Sequence, residues 1–512
     1  MTSTTPLGTP TKGPDRMPWL LAGTYVLVQV LIYSLGVRFD DVSLCDGAHN
    51  LDVELLRHNL LQSLFYLHSQ PPLFNLFLGT VLKLFPLHFK LVFHCCYLIC
   101  GLVLYFSLFY VQLRLGVGRW LAFSLSTLFV LSPPTIARQN EMLYTFPLTA
   151  LLIASALLLH EFLAKQKTWL AFCFFFSLFL ILGIRTLFHI FYFVIIAVML
   201  MIFCRPNWRK VVLAALIPFL LILSIYSKNL IVFGTFSASS LLGMNVLDLI
   251  TSNLSVEDRR QMVADGKVSE LVLVDRFLAL DQYPAKYRDV GGKTGIPALD
   301  EATKSTGRPN YNHLAYPKLS QQYLKDFLTL LKERPWAYVK GVEHACLLYI
   351  MPGIITMPFG SHRKETAFLE SIYDTCFYGR LDVDLGLDHV SPFSLMPGYR
   401  FYVFLLFGFP ILIAYGLVLS LRTQAKSVPL NRQQRIVVLY LCFNIIWVAV
   451  VGNLLELGDN NRFRFMTDPF YIVLLGLFIQ FFVRTRLSRF LRKLRSSKPP
   501  TQNPANEAGF AG

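Results

Sequence analysis

The chain has 512 residues, of which 54% are hydrophobic and 15% charged, and its formal net charge is +16 at pH 7. Soluble domains carry about 25% charged residues, so this composition excludes an ordinary soluble protein and predicts a polytopic membrane protein. We interpret the positive charge as setting the orientation of the chain in the membrane, because lysine and arginine stay on the cytoplasmic side. Nucleic-acid binding is the weaker interpretation, because no basic segment interleaved with aromatic residues is present.

The first residues are polar and rich in proline and threonine, which predicts a disordered cytoplasmic N-terminus at residues 1–16. The apolar run that follows has the length of a bilayer span and no small-residue cleavage site after it. We therefore expect an anchor and not a removed signal peptide. About ten transmembrane helices are predicted, at residues 18–36, 91–111, 120–131, 144–163, 168–183, 187–204, 211–227, 401–421, 436–451 and 469–483.

A further apolar run, at residues 71–85, is shorter than the roughly twenty residues that a span needs. If this run does not cross, the connections rich in lysine and arginine all face the cytoplasm, whereas a crossing would turn them outward. We therefore predict a re-entrant or interfacial helix inside a first outer loop. The predicted units are a membrane module at 17–228 that includes a catalytic first outer loop at 37–90, a mixed extracytoplasmic domain at 229–400, C-terminal membrane helices at 401–484 and a basic cytoplasmic tail at 485–512.

Acidic residues collect on the face that is predicted to lie outside. Asp40 and Asp41, in "RFDD", stand a few residues past the end of the first span. One interpretation is a solvated loop pair or a helix N-cap. The other is a general base at the membrane surface, because a carboxylate there can take a proton from an attacking hydroxyl.

Other polar residues of this face can also be interpreted in two ways. His68, in "HSQPPLF", is either an interfacial side chain or a group that a rigid proline turn directs into an outer cavity. Arg462 and Arg464, in "DNNRFRF", either pair with nearby acids and lipid headgroups or bind phosphate oxygens. Lys228 is a similar cation at the outer end of its span, and Arg185 is a charge near a membrane boundary. Together these residues predict one outer-face site, which a lipid-linked phosphate would fit.

The order of the motifs resembles that of the GT-C-fold membrane glycosyltransferases that use polyprenyl-phosphate sugars. These include the protein O-mannosyltransferases, the lipid A aminoarabinose transferase and their bacterial relatives. "RFDD" is similar to the acidic motif of this family, "HSQPPLF" to its His-Pro-Pro motif with two inserted residues, and "LSPPTIARQNEMLYTFPL" to its Ser-Pro motif and polar loop. "KNLIVFGTFSASSLLGMN", "YNHLAY" and "NRFRFMTDPF" are similar to later motifs of the bacterial relatives. The resemblance extends from residue 18 to about residue 483.

The resemblance implies a GT-C-like fold and the inverting transfer of a sugar from polyprenyl phosphate to an extracytoplasmic glycan, lipid or protein. It implies that Asp40 and Asp41 are the catalytic carboxylates, with Asp40 the preferred base. The substrate-binding residues that we expect are His68, Arg138, Glu141, Tyr144, Lys228, His313, Arg462 and Arg464. The segment 229–400 either covers the site and helps to choose the acceptor or is a structural cap.

We predict no cofactor and no metal, because the sequence shows no metal-ligand spacing, although some members of the resembled family require a divalent cation. The later motifs indicate a bacterial inner membrane with the active site facing outward. The competing predictions are a transporter or flippase for a lipid-linked or anionic substrate, and a scaffold without activity. Transporters place ionisable groups near the bilayer midplane and often contain internal repeats, whereas these predicted spans are almost free of charge.

Overall fold

The computed structural model describes residues 16–48, 50–352, 362–383, 400–421 and 430–496, with side chains described to residue 482 in the last range. The predicted N-terminal segment up to residue 15, and the predicted basic tail from residue 497, lie outside the described residues. Within these ranges the chain is an all-α polytopic membrane protein with very little sheet.

Helices form nearly all of the regular structure in the described ranges. From the N-terminus they are α1 (Met17–Ser34), α2 (Val42–Asp46), α3 (Val53–His58), α4 (Leu60–Phe65), α5 (Leu73–Leu84), α6 (Phe89–Arg114), α7 (Arg119–Leu131), α8 (Pro133–Gln139), α9 (Thr145–Lys165), α10 (Thr168–Ile184), α11 (Ile190–Phe203) and α12 (Trp208–Phe233). They continue as α13 (Leu242–Val246), α14 (Asp248–Thr251), α15 (Val256–Ala264), α16 (Ala285–Arg288), α17 (Pro297–Asp300), α18 (Ala315–Glu333), α19 (Pro335–Ile350), α20 (Arg363–Tyr373), α21 (Val403–Leu421), α22 (Arg432–Leu455) and α23 (Asn460–Ser496).

The remaining regular structure is short. Turns of 3-10 helix lie at Arg205–Asn207, Glu270–Leu273 and Leu280–Gln282, and a π-helical turn lies at Asp374–Tyr378. The strands β1 (Arg380–Asp382) and β2 (Arg400–Tyr402) form an antiparallel pair in which Arg380 faces Tyr402. This pair is the extent of the sheet in the part of the chain that the structure describes.

A helix lies at every predicted span, but the helices differ in length. Among the described residues seven are long and apolar enough to cross a bilayer, namely α1, α6, α9, α12, α21, α22 and the part of α23 up to Phe482. The count rises to eight if α7 and α8, which are bent by 60° at their junction, are one span. Pro133 and Pro134 explain this break, because proline lacks the backbone N–H that would continue the helix.

Two predicted spans and the predicted interfacial helix are shorter apolar helices. The helices α10 and α11 have 17 and 14 residues, so they extend roughly 25 and 21 Å along their axes. Both pack on longer neighbours, α10 on α9 and α12, and α11 on α12. The helix α5 has 12 residues, roughly 18 Å, and packs against α3, α6 and α10. Its length is too short for a simple crossing of a hydrocarbon core about 30 Å thick.

Residues 229–400, called the polar segment below, contain a hydrophobic core of their own where they are described. This core is built on α13 and α18 and includes Met244, Tyr316 and Leu319. A Cβ on Gly243 would overlap the carbonyl oxygen of Ser320, so only glycine allows this close approach of the two helices. The helix α19 then packs on α22 and α23, which joins the polar segment to the membrane helices.

Candidate functional site

The first loop (residues 37–90) and the second loop (residues 132–144) meet through their backbones. The N–H of Asp40 donates to the carbonyl oxygen of Asn140 at 2.7 Å, and the N–H of Met142 donates to the carbonyl oxygen of Asp40 at 2.9 Å. These bonds form an isolated parallel bridge between Asp40 and Glu141. The acidic motif after α1 is therefore fixed beside the turn that leads into α9.

The two adjacent carboxylates of the first loop have different partners. Asp41 Oδ1 accepts from Lys90 Nζ at 2.7 Å, which partly neutralises its charge. Among the described residues, Asp40 Oδ1 accepts from the backbone N–H of Val42 alone, at 2.8 Å, and the residue is half-buried. Within the described ranges no cation lies at salt-bridge distance from Asp40. Of the two carboxylates, Asp40 is therefore the one whose oxygen is free to accept a proton.

Glu141 forms a buried ion pair on the second loop. Its Oε2 lies 3.0 Å from Arg138 Nη1, and each side chain is only 2% exposed. Burial raises the pKa of Glu141 above its usual range, against the opposing effects of Arg138 and Arg462. Glu141 Oε1 has no hydrogen-bond partner among the described residues.

Two more arginines surround the ring of Tyr144. The guanidinium carbon of Arg462 lies 5.7 Å from the ring centre, and that of Arg185 lies 5.2 Å from it. Arg185 also donates to the Tyr144 hydroxyl. Each arginine has an acidic partner, since Arg185 pairs with Glu456 at 3.3 Å and Arg462 with Asp459 at 3.2 Å. We call Arg138, Glu141, Tyr144, Arg185, Glu456, Asp459 and Arg462 the charged cluster.

A groove of about 970 Å³ lies between α1 and α6 and reaches Phe39, the chain neighbour of Asp40, and Lys90, the ion-pair partner of Asp41. Most of its wall is apolar. The polar residues at the loop end of the groove are Arg38, His88, Lys90 and Asn140. The backbone of Asn140 holds Asp40, and its chain neighbour Glu141 belongs to the charged cluster. This apolar groove therefore ends beside the charged cluster.

A smaller cavity of about 330 Å³, called the polar cavity below, lies between the first loop, the end of α10 and the polar segment. The lining residues that carry polar side chains include Gln70, Arg185, Asn245, Arg276, Glu456 and Asp459. Three of these also belong to the charged cluster. The cluster thus separates two cavities of opposite chemical character, one apolar and one polar.

His68, Lys228 and His313 lie at the junction of the first loop with the polar segment or with α12. His68 is fully buried, its Nδ1 lies 2.7 Å from Ser240 Oγ, and its Nε2 lies 2.9 Å from the carbonyl oxygen of Asn312. Burial, together with the charges of Lys228 and His313, lowers the pKa of His68 to about 3. The imidazole is therefore neutral at physiological pH, and both of its nitrogens are engaged.

The other two residues of this group also bind backbone atoms. Lys228 Nζ donates to the carbonyl oxygen of Leu67 at 2.6 Å. His313 Nδ1 accepts from the N–H of Ala315 at 3.1 Å, at the start of α18. In the part of the chain that the structure describes, no hydrogen bond or ion pair joins His68, Lys228 or His313 to the charged cluster.

Arg464 differs from Arg462 although the two are close in sequence. Its Nη1 donates to the carbonyl oxygens of Ile350 and Met351 at 2.7 and 2.9 Å, and its Nε lies 3.1 Å from Asp468 Oδ1. These bonds hold the C-terminal end of α19 against α23. Arg464 therefore does not share the environment of the charged cluster.

The structure also reveals residues that the sequence interpretation did not select. Lys90 partners Asp41, Arg38 lines the groove, and Gln70 lines the polar cavity. A turn of the polar segment holds the first loop, because Arg308 binds both carboxylate oxygens of Asp46 at 3.1 and 2.9 Å. Arg38, in "RFDD", and Gln70, in "HSQPPLF", stand in motifs that the sequence analysis quotes, whereas Lys90 and Arg308 had no such signal.

No protein-family model, no curated protein and no solved structure matches this chain. Within the described ranges, no group of three or more histidine, cysteine, aspartate or glutamate side chains has the arrangement of a metal site.

Proposed function

We propose that this protein is a GT-C-like membrane glycosyltransferase that moves a sugar, with inversion, from a polyprenyl-phosphate donor to an extracytoplasmic glycan, lipid or protein. One observation carries the proposal most directly, the backbone bridge between Asp40 and Glu141. It sets a carboxylate without a cationic partner, among the described residues, between an apolar groove and a buried cluster of charges. This combination suits a reaction between a lipid-linked donor and a polar acceptor.

In this proposal the groove between α1 and α6 takes the donor. Its apolar wall suits an isoprenoid chain, and its volume of about 970 Å³ lies within the range of ligand sites. Arg38 and Lys90 at the loop end supply donors for phosphate oxygens, to which charge-assisted hydrogen bonds are strong. Lys90 would then be shared between the phosphate and Asp41.

The chemical step assigns a role to each group. Asp40 accepts the proton of the acceptor hydroxyl or amine as this attacks the anomeric carbon from the face opposite the phosphate. The bond between the anomeric carbon and the phosphate oxygen breaks, and the polyprenyl phosphate leaves with the electron pair. Arginine and lysine donors stabilise the developing negative charge. General base assistance of this kind contributes roughly a hundredfold to ten-thousandfold in rate.

The remaining selected residues divide into two groups in this proposal. Arg138, Glu141, Tyr144 and Arg462, with Arg185, form a buried charged wall behind the reacting groups, and Arg185 also lines the polar cavity. His68, Lys228, His313 and Arg464 position the loops and helices that carry that wall, because their nitrogens already bind backbone or side-chain partners. The proposal requires no cofactor and no metal.

The finer topology also belongs to the proposal. We propose ten spans, with α10, α11 and the bent α7–α8 pair included, a cytoplasmic N-terminus and an active site that faces outward from a bacterial inner membrane. With ten spans, the connections rich in lysine and arginine fall on one side, as the positive-inside rule requires.

The test reconstitutes the purified full-length protein in vesicles with radiolabelled polyprenyl-phosphate sugars and a host membrane extract. Transfer of label to an acceptor, with release of polyprenyl phosphate, supports the proposal. The alternative is a flippase for the lipid-linked substrate. Movement of a fluorescent polyprenyl phosphate across the bilayer, without any label transfer, would favour that alternative and contradict the proposal.

A further inference from the structure

We infer that the polar cavity is a saccharide-binding site, and that it takes a neutral, hydroxyl-rich ring of the acceptor. The identification of that ring as part of the acceptor rests on the proposed function. The saccharide binding itself does not, because it follows from the chemistry of the cavity wall. Gln70 and the charged residues that line the cavity carry the argument.

The charges that line the polar cavity already have partners. Arg185 pairs with Glu456, and Asp459 pairs with Arg462. Arg276 Nη2 lies 2.6 Å from Asp248 Oδ2. Because these charges are balanced in pairs, no uncompensated cation awaits a phosphate among these residues. Their oxygen and nitrogen atoms still offer acceptors and donors to a neutral ligand.

Two donors at this cavity have no partner in the described parts of the chain. Gln70 Nε2 and Arg185 Nε make no hydrogen bond, although the two residues are only 6% and 9% exposed. Buried donors without partners are rare, because burial removes water that would otherwise bind them. Both residues line the cavity, so a rotation of their side chains would turn these donors towards a hydroxyl-rich ligand, while the ligand's own hydroxyls donate to the carboxylates of Glu456 and Asp459.

The position of Gln70 is set by rigid neighbours. The preceding Ser69 donates its N–H to Asn312 Oδ1 at 3.2 Å, and its carbonyl oxygen accepts from Ser239 Oγ at 2.6 Å. Pro71 follows and fixes the backbone φ angle. The backbone at Gln70 is therefore fixed before a ligand binds, which lowers the entropy cost of binding a neutral group.

The polar cavity and the apolar groove are adjacent to the charged cluster through different residues. The groove reaches Asn140, the neighbour of Glu141, whereas the polar cavity reaches Arg185, Glu456 and Asp459. A donor in the groove and a saccharide in the polar cavity would therefore lie on different sides of the cluster, so the ring in the polar cavity is a part of the acceptor that does not itself react. This separation is the reason for assigning the saccharide to the acceptor and not to the donor.

The test measures binding without any transfer reaction. The full-length protein in lipid nanodiscs is titrated with methyl glycosides of neutral hexoses, with N-acetylglucosamine and with inorganic phosphate, and the midpoint of thermal unfolding is followed. The variants are Gln70→Leu, which removes the amide, and Gln70→Glu, which keeps the shape but loses the donor. Gln62→Leu is the matched control, because Gln62 is an exposed residue of the same loop.

We expect at least one saccharide to stabilise the wild type and Gln62→Leu equally, and to bind at least about tenfold more weakly to both Gln70 variants. Stabilisation by phosphate alone would overturn the inference, as would the absence of any saccharide effect. Equal saccharide binding by the Gln70 variants and the control would overturn it too.

Transfer kinetics then show whether the bound ring belongs to the acceptor or to the donor. If Gln70→Leu raises KM for the acceptor, the acceptor assignment is supported, and if it raises KM for the donor alone, that assignment is overturned. Failure of the proposed function can be distinguished from failure of the saccharide-binding inference. In that case no donor gives transfer, while saccharide binding and its dependence on Gln70 persist.

Discussion

Asn312 holds His68 by both its side chain and its backbone. The N–H of His68 donates to Asn312 Oδ1 at 2.9 Å, and His68 Nε2 lies 2.9 Å from the carbonyl oxygen of Asn312. The first loop and the polar segment are thereby joined at a fully buried histidine. His68 lies two residues before Gln70, so this junction also positions Ser69, Gln70 and Pro71, which line the polar cavity.

We predict that Asn312→Ala loosens this junction. The side chain also donates to the carbonyl oxygen of Tyr66 at 3.1 Å, and alanine removes this bond together with the acceptor of the His68 and Ser69 N–H groups. A loss of about 2 kcal/mol in local stability is expected. Cleavage of the polar segment by a protease would then accelerate roughly thirtyfold.

The control for that experiment is Asn253→Ala. The amide of Asn253 donates to Leu249 within its own turn, at 3.2 Å, and does not join two parts of the chain. Its cleavage rate should stay within about threefold of the wild type. Equal rates for the two variants would show that Asn312 does not carry the junction.

Acidification should destabilise the protein through His68. Burial lowers the pKa of His68 from its ordinary 6.5 to about 3, so the unfolded chain binds a proton near pH 6.5 and the folded chain does not. The stability contribution is therefore complete above pH 6.5 and declines as the pH falls toward 3. Between pH 7 and pH 5 the expected loss is about 2 kcal/mol.

Denaturation midpoints measured from pH 7 to pH 5 test this dependence. His68→Gln should flatten the slope, whatever its effect on stability at pH 7. His58→Gln is the control, because His58 is an exposed residue of the same loop that pairs with Glu54. The same slope in both variants would contradict the role assigned to His68.

The buried pair of Arg138 and Glu141 should show strong coupling. Removal of one partner leaves a charge in a buried site, so Arg138→Met or Glu141→Gln should each cost about 3–5 kcal/mol in the free energy of unfolding. The double variant should cost clearly less than the sum. A double-mutant cycle on the thermal unfolding of the protein in nanodiscs measures the difference.

An exposed pair with the same spacing provides the reference for that cycle. Glu54 and Arg57 lie 3.3 Å apart, and their side chains are 51% and 36% exposed. Their coupling should be under about 1 kcal/mol, because solvent screens exposed charges. Equal coupling energies in the two pairs would contradict a buried, water-excluded second loop.

Donor binding in the groove between α1 and α6 should depend on the width of the groove. Leu102 lines the groove, whereas its neighbour Val103 is exposed and does not. Leu102→Trp should raise KM for a polyprenyl-phosphate sugar about tenfold with little change in kcat, since it obstructs binding and not chemistry. Val103→Trp should leave KM unchanged. If both substitutions have the same effect, the donor chain does not occupy this groove.

The positions of the helices could be predicted from the sequence, because long apolar runs without charge identify membrane helices. The approach of the first and second loops was also expected, and the backbone bridge between Asp40 and Glu141 gives it a specific geometry. Helix ends were less predictable. The helices α12 and α23 extend beyond the predicted spans 211–227 and 469–483, because polar and charged residues continue each helix past the end of its apolar run.

The surroundings of the individual side chains were the hardest to predict. His68 could be recognised as a residue before a proline turn, but its burial depends on Asn312, a residue far along the chain. The different environments of Arg462 and Arg464 have a local reason, because residues two positions apart on a helix face different directions. The surroundings of Lys90 and Gln70 could not be predicted, because tertiary contacts bring together residues that are distant in sequence.

The central claim is that Asp40 is the general base, and the most direct measurement compares kcat for sugar transfer by the wild type, Asp40→Asn and Asp41→Asn. Asparagine can still accept the Val42 N–H bond, so the loop keeps its shape. Asp40→Asn should lower kcat at least about a hundredfold. Asp41→Asn should lower it less than about tenfold, because Asp41 is already paired with Lys90. A kcat for Asp40→Asn close to that of the wild type would contradict the account.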